Sequence, residues 1–225
     1  MNDHPCQASL LLGGTGLVGR FCLESLLAGP YLEKVILLSR RELPQLSHPR
    51  LQQKVVSFEN LASTELPPVD DIFCALGTTI RKAASQAAFR HVDFEFPVAA
   101  ARQALKSGAQ QFVLVSSVGA DPASKNFYLR TKGEVEQALR SLGFRSLHIF
   151  RPSLLLGQRQ ESRVAETIGT WAARLFQFAL VGPLRRYRPI KAQTVGKAMV
   201  AAAKSGRPGA FIYEYDEINL LAGAS

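Results

Sequence analysis

Short apolar runs alternate with longer amphipathic stretches along the first 150 residues. Ala8-Ser9-Leu10-Leu11-Leu12 is almost wholly apolar and ends in glycines, the signature of a strand buried on both faces. From Leu17 to Leu27, the residues Leu17, Val18, Phe21, Leu23, Leu26 and Leu27 recur at helical intervals, and Gly29-Pro30 closes the pattern. The strand signature returns at 34–38, 54–58, 71–76, 111–115 and 146–150. Helical stretches run from about 83 to 106, closed by Gly108, and from about 125 to 142, closed by Gly143. Pro97 falls inside the first and must kink it or mark its restart, because proline has no amide hydrogen to donate. Residues 39–53 are polar, contain Pro44 and Pro49, and read as a loop or a short helix. Strands alternating with helices predict βαβ units and an α/β fold, a doubly wound parallel sheet.

After Arg151-Pro152 the pattern changes. Val164, Ile168, Trp171, Leu175 and Phe178 are spaced 4, 3, 4 and 3 apart, which places all five on one helix face. Residues 181–190 hold Gly182, two prolines, Arg185, Arg186 and Arg188, and read as irregular and basic. A small-residue helix over 193–204 and a last strand at Phe211-Ile212-Tyr213 follow. No linker separates these parts, so 1–225 reads as one domain with 153–192 as a cap-like substrate region.

Composition narrows the function classes. With 225 residues, 47% hydrophobic and 20% charged, the chain has the make-up of a folded α/β unit rather than a disordered or fibrous segment. Cys6, Cys22 and Cys74 are too few for a disulfide framework, and His4, His48, His91 and His148 show no zinc-binding spacing, so no metal is expected. Arg174 and Gln177 interrupt the best apolar run, near 171–184, so no membrane span is expected. The scattered cysteines fit a reducing, cytoplasmic setting, and the polar start MNDHPCQ lacks the pattern of a secretory signal, so export is not expected. The net charge of +9 favours anionic partners: phosphate cofactors, nucleic acids or acidic lipid.

The first strand runs directly into Gly13-Gly14-Thr15-Gly16-Leu17-Val18-Gly19, with a helix starting inside the motif. Glycines in this position let the chain turn sharply and let a pyrophosphate approach amides at the positive end of the helix. The string fits both G-x-G-x-x-G and G-x-x-G-x-x-G. About 20 residues past such a loop, an NAD-binding chain carries an acid for the adenosine ribose. Here the second strand ends in Ser39-Arg40-Arg41, and a guanidinium at Arg40 matches a 2′-phosphate, which favours NADP(H). Leu76-Gly77-Thr78-Thr79 follows the fourth strand on the same sheet edge, where Gly77 admits close approach and the threonine hydroxyls can reach ribose or phosphate.

Tyr128 and Lys132 are four apart in a helical segment and share a face, downstream of a strand ending in Ser116-Ser117. A phenol is a poor base at neutral pH, and an adjacent ammonium favours its ionised form. In that arrangement Tyr128 passes a proton to or from a carbonyl oxygen, a serine hydroxyl holds the oxygen, and Lys132 also holds the nicotinamide ribose.

These strings resemble those of an atypical short-chain dehydrogenase/reductase, and within that group the HIV Tat-interacting-protein family. The matching segments are 13–19, 38–41, 76–79, 116–121, 128–136, Phe150-Arg151-Pro152 and 159–163. The resemblance implies a Rossmann-like fold, bound NADP(H) and a Ser-Tyr-Lys site. On the matching positions the cofactor is expected against Gly13, Thr15, Gly16, Leu17, Val18 and Gly19, against Ser39, Arg40 and Arg41, and against Leu76, Gly77, Thr78 and Thr79. Ser116, Tyr128 and Lys132 complete the cofactor set, and Ser117, Tyr128 and Lys132 are the expected catalytic residues, with Ser117 favoured over its neighbour Ser116. Two departures stand out. Ser117 and Tyr128 lie closer together than in many extended relatives, and Asp93 occupies the helix position that often carries an active-site asparagine.

The expected function is hydride transfer to or from a carbonyl or alcohol substrate. The second reading is a non-catalytic NADP-binding sensor acting through a protein partner, and the retained Tyr128 and Lys132 argue against it. Nucleic-acid binding through Arg185, Arg186, Arg188 and Lys191 rests on charge alone and ranks last.

Overall fold

Runs that are apolar at nearly every position can be accommodated only where both sides are covered, and five of them form the centre of one sheet. The computed structural model describes residues 8–29, 32–157 and 180–223. In chain order its strands are β1 (Ala8–Leu12), β2 (Lys34–Ser39), β3 (Leu51–Val55), β4 (Asp71–Cys74), β5 (Gln111–Val115), β6 (Ser146–Phe150), β7 (Leu155–Leu156), β8 (Ile190–Lys191) and β9 (Gly209–Tyr213). Seven of these make a sheet in the order β3-β2-β1-β4-β5-β6-β9, parallel throughout. β7 and β8 pair separately. The helices are α1 (Gly19–Ala28), α2 (Ile80–Ala83), α3 (Gln86–Arg90), α4 (Phe96–Lys106), α5 (Phe127–Arg140), α6 (Ala192–Lys204) and α7 (Tyr215–Gly223).

Alternation along each central strand divides the core in two. Leu10, Leu12, Ile36, Ile72, Phe112 and Ile149 pack with α4 and α5 residues such as Ala101 and Val135. Leu11, Leu37, Phe73, Val113 and Phe150 pack with Cys22, Leu26, Val195 and Met199 of α1 and α6. This is the Rossmann-like doubly wound arrangement, and its direction of winding reverses between β1 and β4. The crevice that such a reversal opens at the carboxyl ends of the strands is where ligands bind in folds of this type.

Three sequence expectations are refined here. The strand expected at 54–58 lies at 51–55 instead, because β3 is an edge strand and tolerates Gln52, Gln53 and Lys54, while the apolar Val56 and Phe58 turn into the core beyond it. The Gln53 side chain bonds the backbone of Leu43 and Leu46 and so ties down the preceding loop. Of the two outcomes expected of Pro97, the structure shows the restart. Helical backbone continues from α3 into α4, but through a widened π turn at His91–Glu95, and Pro97 sits in the first turn of α4. Proline there cannot donate to the carbonyl four positions back, that of Asp93, and its ring needs room beside it. The stretch expected to be irregular at 181–190 contains a 3-10 turn, Gly182–Tyr187, before β8. The amphipathic face expected at 164–178 and the string at 159–163 lie outside the described residues.

A chain of buried hydrogen bonds crosses four adjacent strands. His148 bonds the Tyr213 hydroxyl (2.9 Å) and Gln111 Oε1 (3.0 Å), and Gln111 Nε2 donates to Asp71 Oδ1 (3.0 Å). Burial, with Arg207 adding in the same direction, lowers the His148 pKa to about 4. The fold therefore holds the neutral imidazole, whereas the unfolded chain takes up a proton below its ordinary value near 6.5. Stability contributed by this site is complete above about pH 6.5 and is lost as pH falls towards 4, by about 2–3 kcal/mol at pH 4.5. Urea melts at pH 7 and 4.5 are expected to show that share of the decline in the wild type and not in His148→Gln. Equal declines in both proteins would exclude His148 as its source.

Candidate active site

The glycine loop is shaped by contacts that leave no room for side chains. Gly13 has φ +80°, and a Cβ there would lie 2.5 Å from the Ala75 carbonyl oxygen at the end of β4. Gly16 N donates to Gly13 O at 2.9 Å, closing the turn, and a Cβ on Gly19 would lie only 2.0 Å from that same oxygen. The loop is thus clamped between β4 and the first turn of α1, with Thr15 exposed above it. Val18 is buried in the core on the α1 side, and Leu17 packs beside Gly157, which follows β7.

Two adjoining cavities of about 490 and 420 Å³ open over this loop, and both are lined by Gly13, Thr15, Arg40, Phe58 and Leu76. The first extends to Ser39 and Arg41, the second to Gly16, Gly77, Thr78, Lys82 and Phe96. Arg40 and Arg41 are exposed at the rim, and Ser39 Oγ donates to the Arg41 carbonyl (2.7 Å), fixing the turn that carries them. The Thr79 hydroxyl accepts from Lys82 N (3.2 Å) and caps α2. Phe58, Lys82 and Phe96 were not among the expected site residues. The two phenylalanines meet edge to face at 5.4 Å and wall the crevice, and only the fold brings them together. Behind that wall His91 bridges Glu59 and Glu95, at 2.5 Å each, and these carboxylates raise its pKa above the ordinary value.

The two adjacent serines differ sharply. Ser116 is buried and donates to Glu136 Oε1 (2.5 Å), a carboxylate also held by both Nε and Nη2 of Arg151. Ser117 is half-buried, and its hydroxyl makes a weak 3.3 Å contact with the Val118 carbonyl. α5 begins at an Asn126 cap and carries Tyr128, half-buried against Phe89, and Lys132, which is buried. Lys132 Nζ lies 2.8 Å from Asp93 Oδ1, while Asp93 Oδ2 accepts from Thr78 N (2.9 Å). Burial works against charge on Lys132. The Asp93 carboxylate, with Tyr128 adding in the same sense, more than offsets it and raises the Lys132 pKa above the ordinary value. Of the expected site residues, Gly13, Thr15, Gly16, Ser39, Arg40, Arg41, Leu76, Gly77 and Thr78 line the crevice, and Lys132 lies behind Gly77, whereas Leu17, Val18, Gly19, Thr79, Ser116, Ser117 and Tyr128 are not part of that lining. The hydroxyls of Ser39, Thr79 and Ser116 are engaged within the protein.

The strand order and the crevice over the glycine loop define a chain with the Rossmann-like fold. Among solved structures it resembles human epimerase family protein SDR39U1 (isoform 2) with NADPH, at 20% identity and TM-score 0.62 over 92% of this chain and 74% of that one. It also resembles DesIV, a dTDP-glucose 4,6-dehydratase from Streptomyces venezuelae with NAD bound, at 18% identity and TM-score 0.68 over 97% and 81%. The chain belongs to the HIM1 family, whose model matches residues 41–180. Protein HTATIP2 of Rattus norvegicus is 38% identical over 86% of this chain and 80% of its own length. Protein FMP52, mitochondrial, of Candida albicans is 32% identical over 90% of each. The relatives overturn the cytoplasmic expectation, because several fungal ones are named mitochondrial proteins. That expectation drew on the few, scattered cysteines and on the lack of a secretory signal, and neither separates the cytoplasm from the interior of a reducing organelle.

No helix among the described residues is long and apolar enough to cross a membrane, and no described group of three or more His, Cys, Asp or Glu side chains is placed to hold a metal ion.

Proposed function

We propose that this protein is an NADP(H)-dependent oxidoreductase of the short-chain dehydrogenase type, acting on a small carbonyl or alcohol through Ser117, Tyr128 and Lys132. The observation that carries the reading is that Gly77 belongs both to the crevice over the glycine loop and to the surroundings of Lys132. A Cβ on Gly77 would lie 3.9 Å from Lys132 Nζ, so the Tyr-Lys helix stands directly behind the backbone that lines the cradle. The residues fit the cofactor. Gly13 and Gly19 leave a cradle that side chains would fill, and Arg40 and Arg41 offer free-standing guanidinium groups at the rim for a 2′-phosphate.

Bound there, the nicotinamide supplies or accepts a hydride. The protein's share is orientation and proton movement. Tyr128 gives the carbonyl oxygen a proton in reduction and takes it back in oxidation. Ser117, whose hydroxyl has only a weak internal contact, holds that oxygen, whereas Ser116 is committed to Glu136 and anchors the strand end. Lys132 presents its ammonium to the nicotinamide ribose and to Tyr128. The segment 153–192 is the substrate-side cap, a role supported by the β7–β8 pairing that joins its two ends and by Gly157 against Leu17 of the loop.

Following NADPH oxidation at 340 nm across a panel of aldehydes, ketones and quinones tests this reading. Turnover of at least one compound is expected. Tight nucleotide binding with no turnover in the panel, together with a protein partner whose affinity differs between NADP and NADPH, would favour the sensor instead.

A further inference from the structure

Among the buried carboxylates, Asp93 stands closest to the proposed cofactor site, and the hydride-transfer scheme has no use for it. It stands in the π turn with its carboxylate fully buried, one oxygen on Lys132 Nζ and the other on the backbone amide of Thr78. A packing role between helices does not account for this placement, because the pair lies directly beneath backbone that lines the crevice. A Cβ on Gly77 would be 3.6 Å from Asp93 Oδ1 and 3.9 Å from Lys132 Nζ.

We propose that Asp93 is a positioning residue: the buried counter-ion that keeps the Lys132 ammonium charged and fixed at the floor of the crevice, where the cofactor meets it. The inference rests on the proposed cofactor site and adds a device to it. A buried lysine without a partner gives up its proton, because burial penalises the charged form. Three titratable groups act on Lys132: Asp93 from the π turn, Tyr128 from α5 itself and Cys74 from the end of β4. Burial pushes the Cys74 thiol up to about 12, so it is neutral across the working range. Arg90 and Glu134 also join the α3 helix to α5, but as a pair with partly exposed side chains. Asp93 is thus the carboxylate in contact with the ammonium, and the widened turn ahead of Pro97 is what carries it there.

The test is the affinity for NADP between pH 5.5 and 9, measured calorimetrically for wild type and Asp93→Asn. Protonation of the 2′-phosphate and of His91 occurs in both proteins and cancels in the ratio of their affinities. The ratio is expected to fall by tenfold or more from the acid to the alkaline end, as Lys132 loses its proton in the variant alone. Repeating the pair in a Tyr128→Phe background is expected to leave the fall in place, which separates Lys132 from the phenol. A ratio constant across the range overturns the inference while leaving the cofactor site standing. A wild type that binds no NADP overturns the cofactor site as well. If Asp93→Asn does not fold, the double variant Asp93→Asn/Lys132→Met, which buries no charge, decides the matter. It is expected to bind NADP at least tenfold more weakly than wild type, with a constant ratio, and wild-type affinity in it overturns the inference.

Discussion

Tyr128→Phe is expected to lower turnover by about 10²–10⁴-fold, the usual worth of a positioned general acid, while NADPH affinity stays within a few-fold of wild type. The asymmetry comes from what the ring does. Its face packs on Phe89 at 5.5 Å between centroids, and phenylalanine keeps that contact, so α5 stays in place. Only the hydroxyl is lost, and with it the group that exchanges a proton with the substrate oxygen. Turnover with any compound found to oxidise NADPH, measured beside a binding titration, separates the two effects. A variant that turns substrate over at the wild-type rate would remove Tyr128 from the mechanism.

Gly19→Ala is expected to be strongly damaging, because its added methyl group meets backbone. Its Cβ would sit 2.0 Å from the Gly13 carbonyl oxygen and 2.7 Å from the Gly13 carbonyl carbon, and both are backbone atoms of the turn itself. Neither side has a flexible end to give way. α1 must move off β1, or the loop must unwind over the edge of β4, where Gly13 is already confined by Ala75. Overpacking of this kind costs about 1–3 kcal/mol of stability. A similar loss in the cradle lowers nucleotide affinity by up to about 100-fold. Thermal melts with and without NADPH check both, since the variant is expected to melt lower and to lose most of the ligand-induced rise. An unchanged rise would mean that the nucleotide does not use this loop.

The central strands were legible because β1, β2, β4, β5 and β6 are covered on both faces and so are written in nearly unbroken apolar residues. β3 was not, because an edge strand needs no such run, and its Gln-Gln-Lys centre reads as loop. The glycine cradle could be read for a related reason: a turn that excludes every side chain leaves glycines at fixed spacing. Adjacent serines at a strand end point to opposite sides, but which one faces the crevice depends on Glu136 and Arg151, distant in sequence. Asp93 stood out in the sequence as a departure from a pattern. Its meaning needed the fold, because Lys132 reaches it from another helix. The aromatic wall of Phe58 and Phe96 and the strand-crossing network around His148 likewise join residues that no local pattern connects.

The proposed cofactor site requires that the crevice hold NADP(H) and read its 2′-phosphate through Arg40. Titrating NADPH and NADH into wild type and Arg40→Ala decides this. Wild type is expected to bind NADPH at least tenfold more tightly than NADH. Arg40→Ala should reduce that preference by about 10- to 150-fold, the worth of about 1.5–3 kcal/mol for a charge-assisted contact. Equal affinity of the wild type for the two nucleotides would remove Arg40 as a reader of the 2′-phosphate, and saturable binding of neither would remove the cofactor site.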